Sequence, residues 1–570
     1  MALPIDSPRG DLPPIAPSLR HRGRERGNVV VMALAFTLVI ATLLVGSITT
    51  TVLQAKTTRY NSDSIEALGL AEGATDWVQK TVQEAVADCA TAPTSGNTTI
   101  GGHGVSWTAM PIGSPATRVS VDGVTVQGTP LQIDATCKIE SGKSSITRIV
   151  DLTTIPIFQF AIFSDGDLEL FPEQATTVSG RVHVNGDLHL GADTSLTLDT
   201  SSVRATGQIL RTRKTDGTTP PGTVSILDGD SGTLTAFDPT ADSASANWVQ
   251  SSLATWGGGV RNGDHGVRAV LGPKDLQLDA GGHFETNAGL RIVDTTATDA
   301  LGNPVPLLPG TITETTLFDE REGQTVTVTE IDLSLLAASG AFPANGLVHA
   351  RRTDTTSSSP HGIRLTQGAS LAAPLTVTTP APLYIHGDFN TVGKKPAAVM
   401  ADVVNVLSNA WDDTKSPISA LPAATSTTVN CSVITGSVPT TDDGRGVIDS
   451  GGFENLLRLH EDWGGTDLDL NGSMVRLFDA RFADSAFDPS TFVAPARTIA
   501  FDPDLLNPAL LPPFCPDAVE MRRVFWDDHQ QVEFKIQDSR LSLLPTNTAV
   551  SDPWNYDGTF MSKVILDPNR

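Results

Sequence analysis

Between Asn28 and Gln54 the chain carries no charged residue, and positions 29–48 (VVVMALAFTLVIATLLVGSI) are almost wholly apolar. A helix rises about 1.5 Å per residue, so about 20 such residues cross the roughly 30 Å hydrocarbon core of a bilayer, where each backbone polar group must be bonded within its own segment. The flanks orient the span. Arg20, His21, Arg22, Arg24 and Arg26 crowd its N-terminal side, which predicts a cytoplasmic N-terminus in the inner or cytoplasmic membrane and a body on the far side, periplasmic or at the cell surface. A cleaved signal peptide is the competing reading. Its apolar region is usually only roughly 7 to 15 residues and ends at a small-residue site, whereas only Leu53-Gln54-Ala55 follows here.

Charge separates the two sides. Residues 1–26 hold five arginines and three acids, a net of +2, so the remainder carries about −27 of the total −25. A body this acidic repels phosphate, and nucleic acid is excluded as a partner. At 570 residues the chain exceeds one compact core, and 50 glycines and 37 prolines against 5% aromatics point to many turns and a β-rich body. Cys89, Cys137, Cys431 and Cys515 form no CxxC pair, which argues against zinc; in an exported body they suggest two disulfides, Cys89 with Cys137 and Cys431 with Cys515.

Beyond the apolar run the chain stays compatible with a helix to Cys89, since no proline lies between Pro17 and Pro93. Ile65, Leu68, Ala71, Val78, Val82 and Ala85 recur at steps of three and four, with Glu66, Glu72, Asp76, Lys80 and Glu84 off that stripe. One helix of about 60 residues, roughly 90 Å long, is expected. Gly69 and Gly73 weaken it by around 1 kcal/mol each relative to Ala and allow close packing.

The Arg26-Gly27 junction, the apolar helix from Asn28 and the stretch Glu66-Ala67-Leu68-Gly69-Leu70-Ala71-Glu72-Gly73-Ala74 resemble the N-terminal segment of PilX-type minor pilins of type IV pili. The resemblance covers roughly residues 22–88. It implies prepilin-type processing between Gly27 and Asn28, and a helix, with Val29, Met32, Phe36, Val39 and Leu43 along it, that serves as membrane anchor and filament core. The implied partners are the lipid bilayer, other pilin-like subunits and the pilus assembly machinery. Major pilins carry a glutamate at the fifth mature position; Met32 stands there, which narrows the implied role to a minor, initiating or anchored subunit.

The body is expected to be mainly β, in the order 1–27 leader, 28–88 helix, 89–156 small β domain, 157–395 solenoid-like region and 396–570 α+β region. Phe163-Ser-Asp-Gly166-Asp-Leu-Glu-Leu170 is echoed by His183-Val-Asn-Gly186-Asp-Leu-His-Leu190 and Ala205-Thr-Gly207-Gln-Ile-Leu210. The spacing of about twenty residues is near one coil of a parallel β-solenoid, with an antiparallel sandwich as the competing architecture. A helix is expected over 453–463, with Arg458, His460, Glu461 and Asp462 on a solvated face, followed by a hairpin with Asn471-Gly472 at its apex.

Chemistry-bearing patterns are sparse. His183, Asn185, Asp187 and His189 alternate like strand-borne metal ligands, but the Asn-Gly turn among them breaks that geometry. Asp165, Asp167, Asp187 and Asp388 could offer oxygen to calcium, yet no EF-hand or nonapeptide array is present. The glycine-rich 257–266 stretch lacks the phosphate-loop pattern and reads as a flexible loop. No metal, cofactor or catalytic residue is expected, and the chain is not expected to be an enzyme. A pilin-like structural or assembly role leads; a tethered adhesion module and a carbohydrate-active enzyme on a β-helix are the alternatives.

Overall fold

The computed structural model describes residues 28–528 except 120–123, 274–276, 416–419 and 443–446. Its first element is a single α-helix, Asn28–Ala87, of 60 residues. Cys89 follows in the left-handed region at φ 54°, and the proline at 93 lies beyond.

An antiparallel sheet comes next, with Ser95–Ile100, His103–Pro111, Thr125–Ile139 and Gly142–Pro156 in order. Gly142–Pro156 alternates buried and less buried positions along much of its length, the period-two pattern of a sheet with one face on a core. On its outer edge lies Asp517–Asp528, from the far end of the described chain, so this sheet holds the entry to and the exit from everything between.

Between them, strands stack in parallel. Ile162–Ser164, Val182–Val184, Val203–Ala205 and Val260–Arg261 form one run. Leu168–Leu170, Leu188–Leu190 and Ile209–Leu210 form a second, and Thr176–Ser179, Ser195–Asp199 and Thr223–Leu227 a third. The first three strands of the first run start 20 and 21 residues apart, which matches the period of the Gly-Asp turns, and the fourth follows after an insertion. Parallel pairing is what a coiled path requires and an antiparallel sandwich does not supply.

The order of the tiers departs from chain order. After Val260–Arg261 the chain crosses back and restarts at Leu290–Val293. From there Leu347–Arg351, Leu375–Thr378, Ala397–Ala401, Ser432–Ser437 and Met474–Asp479 stack in turn until the last pairs with Ile162–Ser164. On another face Ala496–Phe501 pairs with Thr176–Ser179. The first and last coils therefore meet in the middle of the stack, and the crossing segment packs over the outer face, with Val270, Leu278 and Phe284 against Phe163, Val475 and Leu477.

Three local expectations are corrected. Residues 396–528 are not α+β: among the described residues they form strands and short 3-10 turns, most of which continue the parallel stack before Asp517–Asp528 joins the antiparallel sheet. The helix expected over 453–463 is a 3-10 turn, Gly452–Asn455, followed by the strand Leu457–Arg458. Asn471-Gly472 is no hairpin apex, because Asp467–Gly472 and Met474–Asp479 belong to different sheets and run parallel to their neighbours. A corner of the coil passes there instead, so tight that a Cβ on Gly472 would sit 2.2 Å from the Cys431 carbonyl oxygen.

Candidate functional site

Among the described residues, none packs against the first half of the helix. Val29, Met32, Phe36, Val39 and Leu43 are 53–71% exposed, and the whole 18-residue window of highest hydropathy is bare. Its few polar side chains turn inward on the helix itself. Thr37, Thr42, Thr49 and Thr51 donate their hydroxyls to the carbonyls of Ala33, Leu38, Val45 and Ser47 at 2.5–2.9 Å, which leaves an outer surface of hydrocarbon. By length and composition the helix can cross a membrane. Gly27 and the rest of the leader lie outside the described residues, as does the side chain of Asn28.

The second half is docked. Ala67, Ala71, Ala74, Thr75, Val78 and Val82 are fully buried against Val105, Trp107, Ile133, Ile146 and Val150 of the sheet. Small alanines bring the helix axis close to the strands. The expected stripe is rotated: Ala71, Val78 and Val82 point in, but Ile65 points out at 66% exposure while Ala67 takes the inner place. Steps of three and four fit either face until the sheet chooses one.

Polar contacts clamp this half along its length. Arg59 pairs with Glu140, the Ser141 hydroxyl donates to Asp63 at 2.7 Å, and the Ser144 hydroxyl donates to the Ser64 carbonyl at 2.7 Å. The turn between strands must approach the helix backbone, and Gly142 permits it, since a Cβ there would lie 2.5 Å from Asp63 C and Ser64 N. Farther along, the fully buried Arg148 pairs with Asp76, and Gln83 Nε2 donates to the Val519 carbonyl at 2.9 Å.

The residues singled out for chemistry are distributed differently. His183 stacks on Phe163 at 5.7 Å in one sheet, while His189 lies in another, with Nδ1 2.7 Å from the Thr212 carbonyl. The turn aspartates brace the coil: Asp167 accepts from Asp187 N at 2.8 Å, Asp187 from Gln208 N at 2.6 Å and Asp388 from Thr428 N at 2.9 Å. Asn185 Nδ2 donates to Asp165 at 2.8 Å. The 257–266 stretch is an ordered cap, not a flexible loop, with Gly257 at φ 57° ending the helix Trp248–Trp256 and buried Asn262 accepting from Trp248 Nε1 at 3.0 Å.

Arg458, His460 and Glu461 have no solvated face. All three are buried: the hairpin of Ile312–Asp319 and Gln324–Asp332, which extends the same sheet, brings Glu322 to Arg458 and Asp319 to His460, while Glu461 lies against the turn at Ser408; Asp462 alone of the four stays exposed. Tyr384 donates to Asp319 at 2.5 Å, His460 Nε2 lies 2.9 Å from Asn405 Oδ1, and Ser408 donates to Glu461 at 2.6 Å. Burial outweighs the Asp319 carboxylate and pulls His460 down to about 4; buried His349, beneath the crossing segment, is likewise pulled down to about 4. Sequence periodicity missed this cluster, since its partners in the hairpin are more than 130 residues away from Arg458. No cysteine is bonded to another. Cys137 faces the Gly104 carbonyl beside the helix, whereas Cys431 lies within the coil core, where burial pushes its thiol up to about 12.

No family model matches the chain, and no curated protein matches it. Among solved structures it is similar to the competence-associated pilin ComZ of Thermus thermophilus, with 12% identity and a TM-score of 0.27 over 81% of this chain and 98% of that one.

Proposed function

We propose that the chain is a membrane-anchored, pilin-like structural protein, a minor pilin or assembly component of a type IV pilus or related secretion filament, that displays its β body outside the cytoplasm. The observation that carries this reading is the division of one unbroken helix: its second half is fixed to the body, and its first half offers about 25 residues of uncharged, unpartnered hydrocarbon. That half, roughly 40 Å long, suits a bilayer and equally suits the apolar core of a bundle of such helices. Its partners would be lipid, other pilin-like subunits and the assembly machinery. Met32, exposed and apolar where a major pilin has its carboxylate, favours a minor or initiating place over a homopolymer.

Mass spectrometry of the mature protein from its native membrane tests the reading. A chain beginning at Asn28, with or without N-methylation, is the expected result. An intact Met1, or a start near Lys56, would overturn it.

A further inference from the structure

The pairs Cys89 with Cys137 and Cys431 with Cys515 do not fit the geometry. Cys137 lies beside the helix near Glu66, and 23 helical residues separate positions 66 and 89, roughly 35 Å. Cys431 belongs to the core enclosed by the coil, while Cys515 packs with the cluster on the outer face.

One hydrogen bond and one shared charge direct Cys89 towards the Cys515 end of the C-terminal strand instead. Gln83 donates to the Val519 carbonyl at 2.9 Å, and the carboxylate of Asp517 acts on Cys89, so the helix advances from 83 to 89 as the C-terminal strand is followed back from 519 to 517. Cys515 lies two residues before that strand begins, in the turn that leads into it, and its thiol also feels Asp517. The crossing segment braces the same corner: Gln277 donates to the Asp88 carbonyl at 2.8 Å, and Leu271 bridges Val519. Cys89 is solvent-accessible.

We infer that Cys89 and Cys515 are a disulfide site that staples the end of the membrane helix to the strand closing the body. The thiolate of Cys89 attacks a small-molecule disulfide, oxidised glutathione, forming a mixed disulfide and releasing one glutathione thiolate. The thiolate of Cys515 then attacks the Cys89 sulfur and expels the second glutathione. The two protein thiols are oxidised by two electrons and the reagent is reduced. Neither thiol suits catalysis: the protein packed round each, and Asp517 beside both, raise them and keep thiolate scarce at neutral pH. The product is a lasting link that encloses nearly the whole body and so constrains the unfolded chain.

The test incubates the full chain in detergent with oxidised glutathione at pH 8.5, alkylates the free thiols and digests without reduction. The expected result is a cross-linked peptide joining Cys89 to Cys515, loss of two of the four alkylatable thiols, and disappearance of that peptide in Cys89→Ser, an accessible position that leaves circular dichroism unchanged. A cross-link to Cys137 or Cys431, or recovery of Cys89 and Cys515 as separate alkylated or glutathionylated peptides, would overturn it.

Discussion

The two halves of the N-terminal helix share a backbone and differ in what surrounds them. The docked half has alanines facing a sheet, the buried guanidinium of Arg148 paired with the half-exposed Asp76, and the Gly142 turn pressed against it; the bare half has valines, leucines and threonines that face no described residue. Helical structure is common to both, so the difference lies in which solvent each half was fitted to. The docked half belongs energetically to the body, and changes there should appear as body stability. Changes in the bare half should leave the body untouched and appear only in how the chain is held in lipid.

Acid should separate the halves most strongly. His349 and His460 have folded values of about 4 against an ordinary 6.5, so the unfolded chain binds their protons first. Their contribution is present above pH 6.5 and is lost as pH falls towards 4, about 3 kcal/mol for each since one pKa unit is about 1.4 kcal/mol. Urea unfolding of the body between pH 7 and 4.5 should show this loss. Membrane retention of the bare half, which has no titratable side chain between Asn28 and Gln54, should not change over the same range.

Asp76→Ala comes next. It leaves the buried Arg148 guanidinium without its half-exposed carboxylate and should cost about 3 kcal/mol of body stability in urea melts, while Asp76→Ala with Arg148→Met should recover most of the loss. Leu43→Arg is the mirror experiment. A charge at the middle of a membrane helix costs about 3 kcal/mol of insertion, so the chain should become extractable by alkaline carbonate with the body's melting temperature unchanged.

Glycines give the finest comparison. Gly142→Ala forces a methyl into the helix backbone and should lower body stability by about 1–3 kcal/mol. Gly69→Ala meets nothing within 4 Å and should raise it, by at most about 1 kcal/mol, in the same melts.

Much of this division could be read from the residues. The helix limits follow from absent prolines, and the bare half from absent charge; the coil period follows from Gly-Asp turns at residues 166 and 186 and the Gly-Gln turn at 207. The rest depended on contacts too distant to leave a local pattern. Ile65 and Ala67 fit the same three-and-four spacing, and only the sheet decides between them. Leu456 to Trp463 looked amphipathic, but the fold buries Arg458, His460 and Glu461 with the apolar residues and leaves Asp462 exposed. The meeting of first and last coils at Ile162–Ser164 and Met474–Asp479 joins segments more than 300 residues apart. No single repeat announces it, because each tier carries the same alternation wherever the chain places it.

Hydrogen exchange of the full chain reconstituted in liposomes, combined with protease added from outside, reads both halves of the helix in one measurement. Residues 29–53 should exchange slowly and resist cleavage, the first cuts should fall at 54–60 between lipid and body, and the docked half should exchange with the sheet that holds it. Cleavage or rapid exchange within 29–53, with the body still folded, would contradict that division of the helix.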